Sequence, residues 1–238
     1  MYFFEGRIRY SEVDSEGRLT LPALINYFQD CSSFQSEDLG VGLDFLAGRH
    51  RVWVLNSWQI VVDRFPKQGE TVKTGTQPYE MKGFLGLRNF AMLSGDGAYL
   101  AKANSVWSLL DTDTGRPVGM LPEILERYEI GERLDMEYAP RKIMIPEGGE
   151  DGEGIVIRKH HLDTNHHVNN GQYVNLAMDA LPEGFQIFQM RAEYKMQTFL
   201  DEVLIPYVVR RDGYVLVALK DADGRPHAVV EFTERTTL

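Results

Sequence analysis

The sequence predicts an α+β fold made of one unit written twice, each copy a long helix wrapped by an antiparallel β-sheet. Three observations predict it. Each half carries a strand-like run, a polar turn and an amphipathic helical stretch in that order. Each helical stretch is followed by a meander of β-branched and aromatic runs. Matching residues also recur between the halves: Asp14 pairs with Asp163 and Asn26 with Asn175 at one common spacing. Gly69-Glu70-Thr71-Val72 aligns with Asp201-Glu202-Val203-Leu204, and Asp96-Gly97 with Asp223-Gly224, at shorter spacings, because the first half has longer connections.

In chain order, the run Phe4 to Val13 leads through Asp14-Ser15-Glu16-Gly17 into the first helix. Thr20 serves as its N-cap, Pro22 suits the first turn, and Leu21, Leu24, Ile25 and Phe28 make the apolar stripe. Strands are expected over Val52 to Val62, Thr71 to Tyr79, Phe84 to Leu93 and Tyr99 to Leu110, with a hairpin turn at Ser94-Gly95-Asp96-Gly97. The second copy opens with Ile155 to Leu162 and the turn Asp163-Thr164-Asn165-His166. Its helix carries the stripe Tyr173, Val174, Ala177, Met178 and Leu181. Strands follow over Gln186 to Lys195, Glu202 to Arg210, Tyr214 to Leu219 and His227 to Thr233. A helix followed by a meander can bury its stripe only in the concave face of its own sheet. That arrangement is a hotdog, and two tandem copies make a double hotdog. The expected division is an N-terminal hotdog over 1–130, a connecting segment over 131–154 ending in the acidic glycine run Gly148 to Gly154, and a C-terminal hotdog over 155–238.

Composition narrows the function classes. At 238 residues with 43% hydrophobic content the chain is long enough to bury a real core. Apolar runs fall short of a membrane span, and Met1-Tyr2-Phe3-Phe4-Glu5 meets a charge too early for a signal peptide. The single Cys31 excludes an internal disulfide framework and fits a cytoplasmic protein. A formal charge of −10 argues against nucleic-acid binding.

The most informative stretch runs from His161 to Tyr173. Asp163, Asn165 and His167 recur with period two, so an extended backbone puts all three on one face. Just beyond them a helix begins, and the first N–H groups of a helix, here around Val168, Asn169 and Asn170, lack intrahelical partners. A carboxylate, an amide, an imidazole and N–H donors can together activate water and stabilise an oxyanion. The plainer alternative is a helix cap with polar turn residues. In the first copy the equivalent positions hold Asp14, Glu16 and Arg18, so only the second retains a histidine and one site per chain is expected. The histidines His160, His161, His166 and His167 match no zinc spacing, and no metal is expected.

Asp163-Thr164-Asn165-His166-His167-Val168-Asn169-Asn170 resembles the Asp-x-Asn-x-His-Val-Asn-Asn motif of the acyl-acyl carrier protein thioesterases, plant-type enzymes and their bacterial relatives. Val61-Val62-Asp63-Arg64-Phe65-Pro66, Asn104-Ser105-Val106-Trp107 and Glu193-Tyr194-Lys195 are similar to further motifs of that family, in the same order. The resemblance implies a double hotdog that hydrolyses acyl-acyl carrier protein to free fatty acid and so ends chain elongation. It implies that Asp163, Asn165 and His167 are catalytic and that the first hotdog holds the acyl chain. After Glu193-Tyr194-Lys195 plant members carry an acidic residue and a cysteine, where this chain has Gln197-Thr198. No thiol nucleophile stands there, and a threonine would need a dedicated base. Gln197 is placed with the catalytic residues because its amide can donate to and accept from a water or the thioester oxygen. Thr198 joins Val168, Asn169 and Asn170 as substrate-binding. No cofactor is implied. The partner implied is acyl carrier protein, itself acidic, for which Arg141-Lys142 and Arg158-Lys159 are the candidate landing patch. An acyl-CoA thioesterase of the same fold and a non-catalytic acyl-thioester sensor stand as alternatives, and homodimerisation is left open.

Overall fold

The computed structural model describes residues 1–163 and 165–235. Thr164 of the motif lies outside them. The chain divides into two compact units, one of residues 1–56 and 62–138, the other of residues 57–61 and 139–238.

In the first unit, strand β1 (Tyr2–Arg7) precedes helix α1 (Leu21–Asp38) and the short helix α2 (Leu43–Ala47). Strands β2 (Arg51–Val62), β3 (Thr71–Lys82), β4 (Leu85–Ser94) and β5 (Tyr99–Asp111) follow, then α3 (Pro122–Arg127). The antiparallel order is β1-β3-β4-β5. The side chain of Thr20 caps α1 by accepting from the Ala23 N–H (3.3 Å), with Pro22 in the first turn. At the other end Gly40, at φ 67°, donates to the Glu37 carbonyl while Val41 donates to that of Ser36, a glycine-based stop. The stripe Leu21, Leu24, Ile25 and Phe28 is buried, and α1 packs on β3 and β1. Phe28 meets Phe90 of β4 with ring centroids 5.4 Å apart. Each such side chain contributes about 1.5–3 kcal/mol by leaving water.

The second unit contains β6 (Glu150–Asp151), β7 (Ile155–Val156), α4 (Asn170–Met178), β8 (Ile187–Tyr194), β9 (Val203–Arg211), β10 (Tyr214–Lys220) and β11 (Pro226–Glu234). Residues 57–61 of β2 pair with β8, and the order continues β8-β11-β10-β9-β6, with β7 also on β9. Helix α4 packs on β10 and β11 through buried Tyr173, Val174 and Ala177. It is half the length of α1 and ends before Leu181, because Pro182 cannot continue a helix. Each fold unit is therefore a helix on an antiparallel sheet, the α+β hotdog type.

Three local expectations change. The strand expected over Phe4 to Val13 stops at Arg7 and turns through a 3₁₀ helix at Tyr10–Glu12. Its counterpart over Ile155 to Leu162 likewise stops at Val156 before a 3₁₀ turn at Lys159–His161. The glycine run at 148–154 is not merely a linker: Glu150 and Asp151 pair with Val208 and Tyr207. Gly149 lies so close to the Tyr207 ring that a Cβ would meet it at 2.6 Å. Among the described residues no helix is long and apolar enough to cross a membrane.

Candidate active site

The loop between the Lys159–His161 turn and α4 is closed by Asp163. Its N–H donates to the His167 carbonyl (2.8 Å), and its own carbonyl accepts from His166 N–H (3.1 Å). Its Oδ1 accepts from the N–H groups of Asn165 (2.8 Å) and His167 (3.2 Å). The first unit builds the same loop on Asp14. Asp14 N–H donates to Arg18 O (2.8 Å), Gly17 N–H to Asp14 O (3.0 Å), and Asp14 Oδ1 accepts from Glu16 and Arg18 N–H, each at 2.9 Å. The equivalence extends outward, with bridges Val13 to Leu19 and Leu162 to Val168 and donors Thr20 N–H to Glu12 O and Asn169 N–H to His161 O.

Because the loops superimpose bond for bond, residues that differ between them mark what the second copy does in addition. Glu16 and Arg18 pair with each other in an ion pair at 2.5 Å, whereas Asn165 and His167 take their places. Where the first loop has Gly17 at φ 73°, the second has His166 at φ 62°, a conformation that costs a non-glycine residue about 1–2 kcal/mol. Asn165 and His166 are exposed and His167 half-buried. The His167 ring stands edge-on to Phe199, with centroids 4.9 Å apart.

The helix start offers fewer free donors than the sequence suggests. Val168 N–H donates to Thr198 O (3.0 Å), Asn169 N–H to His161 O (2.9 Å), and Gly171 N–H to the Asn169 side chain (2.8 Å), which is thereby the N-cap. Among the described residues the N–H of Asn170, the first residue of α4, has no acceptor. Tyr194 Oη donates to the Asn170 carbonyl (3.0 Å), fixing that peptide.

Gln197 is exposed, and it precedes Thr198, whose carbonyl accepts from Val168 N–H. Thr198 is fully buried. Its Oγ1 accepts from Tyr173 Oη (2.8 Å) and lies 2.6 Å from Nδ1 of His227. The base that a threonine would need thus exists, contributed by β11, but the hydroxyl is sealed from solvent. Sequence reasoning missed His227 because it sits 29 residues further on, in a different strand. Its one sequence signal was a histidine directly before the apolar run Ala228-Val229-Val230. Burial pushes the Tyr173 phenol up to about 12, so it stays a donor at neutral pH. His161 is buried, and its Nδ1 accepts from Arg158 N–H (3.0 Å). Burial, then the charges of His160 and Arg158, hold its imidazole below the ordinary histidine range.

Residues 2–128 match the family model described as the acyl-ACP thioesterase N-terminal domain, and residues 150–204 match the model of its C-terminal domain. An acyl-[acyl-carrier-protein] hydrolase of Cuphea viscosissima is 25% identical over 215 residues, 83% of this chain and 51% of that protein. A dodecanoyl-[acyl-carrier-protein] hydrolase of Cinnamomum camphora is 26% identical over 217 residues, 83% of this chain and 56% of that protein. The chain thus spans about half the length of these curated relatives. Among solved structures, an acyl-ACP thioesterase from Bacteroides thetaiotaomicron superposes with a TM-score of 0.88 at 22% identity, covering 98% of this chain and 97% of that one. The 12:0-ACP thioesterase from Umbellularia californica superposes with a TM-score of 0.83 at 21% identity, covering 98% and 96%. These likenesses share the hotdog-type fold of both units. The chain belongs to the acyl-ACP thioesterase family.

Proposed function

We propose that this chain hydrolyses the thioester of acyl-acyl carrier protein, releasing free fatty acid and ending chain elongation, with the chemistry at the loop that opens α4. The observation that carries the proposal is the difference between two loops with the same hydrogen-bond pattern: in one the Glu16 carboxylate is tied up in an ion pair with Arg18, and in the other Asn165 and His167 take their places and supply an imidazole as base. Family membership supports the reaction class.

In this mechanism His167 takes a proton from water as the water oxygen attacks the thioester carbonyl. The developing oxyanion receives the free N–H of Asn170 at the positive end of α4, and the Asn165 amide steadies the carbonyl or the water. The tetrahedral species collapses by breaking the C–S bond, and His167 returns its proton to the departing thiolate. Asp163 holds the loop through its two N–H contacts, the same service Asp14 performs where no chemistry occurs. The first unit takes the acyl chain. Arg141, Lys142, Arg158 and Lys159 are all exposed and belong to the unit that carries the loop, which suits them to receive an acidic carrier protein.

Free-thiol release from a panel of acyl-carrier and acyl-CoA thioesters tests the proposal. Hydrolysis of carrier thioesters with higher kcat/KM than CoA thioesters is the expected result. Preference for CoA would transfer the activity to that substrate, and acyl-thioester binding without turnover would make the protein a sensor.

A further inference from the structure

The internal duplication also assigns a role to three buried polar residues behind the loop. Hydrogen bonds define the correspondence. Val168 N–H donates to Thr198 O as Leu19 N–H donates to Pro66 O. Lys195 and Met196 N–H converge on His227 O as Asp63 and Arg64 N–H converge on Leu100 O. Tyr173 N–H donates to the N-cap carbonyl of Asn169 as Leu24 N–H donates to that of Thr20. Tyr173, Thr198 and His227 therefore occupy the places of Leu24, Pro66 and Leu100, and all six side chains are buried.

The first unit shows that the fold is satisfied by apolar groups at these places. Burying polar groups instead costs free energy unless every one is hydrogen-bonded, so the exchange needs a reason beyond packing. In the second unit the three are linked in a line. Tyr173 Oη lies 2.8 Å from Thr198 Oγ1 and 3.3 Å from the Met196 carbonyl, and Thr198 Oγ1 lies 2.6 Å from His227 Nδ1. When Nδ1 accepts the threonine proton the histidine proton sits on Nε2, which faces Asp221 Oδ2 at 3.6 Å. The line ties α4, through Tyr173, to β11, through His227, at the residue whose carbonyl holds Val168. The next residue, Phe199, is the wall of the His167 ring.

We propose that Tyr173, Thr198 and His227 are positioning residues for the reaction, fixing the segment Met196–Phe199 so that the His167 imidazole and the start of α4 keep their relative placement. The inference rests on thioester hydrolysis at His167. Loss of the line lets the base drift, and a displacement of about 1 Å at a reacting group costs roughly 10²-fold in rate.

Thr198→Val and His227→Leu test it, with Thr198→Ser as the conservative control. Both apolar variants are expected to fold, as the first unit does with Pro66 and Leu100. For an acyl-pantetheine thioester they are expected to lower kcat by roughly 10-fold to 10²-fold with KM little changed, while Thr198→Ser stays within a few-fold of wild type. A second readout needs no turnover: the ring ¹⁵N resonances of His167 should shift in Thr198→Val and His227→Leu and stay in place in Thr198→Ser. Unchanged His167 resonances in both apolar variants, or wild-type kcat in folded His227→Leu, would overturn the relay. Inactive wild-type protein would count against the hydrolase proposal alone, leaving the resonances to decide the relay.

Discussion

At the scale of the residue, the duplicated loop separates groups that shape the site from groups that act in it. One oxygen of Asp163 accepts two loop N–H groups, and an asparagine oxygen can accept the same two. Asp163→Asn is therefore expected to keep kcat/KM within a few-fold of wild type, whereas Asp163→Ala, which opens the loop, lowers it by roughly 10²-fold. Equal losses in the two variants would show that the charge itself takes part. Cys31 is buried, its thiol donates to the Thr74 carbonyl (3.4 Å), and burial pushes its pKa up to about 12. A protonated thiol without access makes no nucleophile. Cys31→Ser should leave turnover nearly unchanged, and a trapped acyl-enzyme at Cys31 would contradict water attack.

At the scale of the element, the 3₁₀ turn before each loop is capped by different chemistry. Glu12 Oε2 accepts from Arg9 N–H (2.8 Å) in the first unit, and His161 Nδ1 accepts from Arg158 N–H in the second. A histidine can accept only while neutral. Its folded pKa is lowered, so its contribution to stability is whole above the unfolded value of about 6.5 and is lost as pH falls through that value toward the folded one. His161→Gln keeps the acceptor and removes the titration. The difference between unfolding midpoints at pH 7.5 and pH 5 should therefore shrink in His161→Gln, and an unaltered difference would remove His161 from the acid response. These turns also mark where the sequence stopped being legible. Local rules found the Thr20 cap, the helix stripes, the hairpins and the period-two set at Asp163, Asn165 and His167, because each depends on neighbours in the chain. Tyr10–Glu12 and Lys159–His161 lie inside the longer runs Phe4 to Val13 and Ile155 to Leu162 that read as strands, and only their caps reveal turns. The exposed place of Gln197 and the His227 partner of Thr198 depend on how β8 and β11 register, which spacing along the chain does not encode.

At the scale of the whole molecule, the proposed meeting of a chain of net charge −10 with an acidic carrier protein would have to run through local cations. Replacing Arg141, Lys142, Arg158 and Lys159 with Ala should raise KM for acyl-carrier substrate far more than for a short pantetheine thioester. The effect should fade with salt, as the screening length falls from about 10 Å at 0.1 M to about 3 Å at 1 M. Equal changes with both substrates would exclude a docking patch. The proposed division of labour puts chain-length choice in the first unit. Ala23, buried on α1, is the place for a plug. Each methylene denied burial forfeits about 0.8 kcal/mol, so Ala23→Leu should shift preference toward shorter chains by roughly tenfold, and a shift from Ala177→Leu alone would put the acyl chain in the second unit. The most direct measurement is kcat for an acyl-carrier thioester in wild type, His167→Ala and Arg18→Ala, side by side. Two equivalent loops with one active copy predict a loss of roughly 10²-fold or more in folded His167→Ala and near-wild-type turnover in Arg18→Ala. Turnover within a few-fold of wild type in His167→Ala would contradict it.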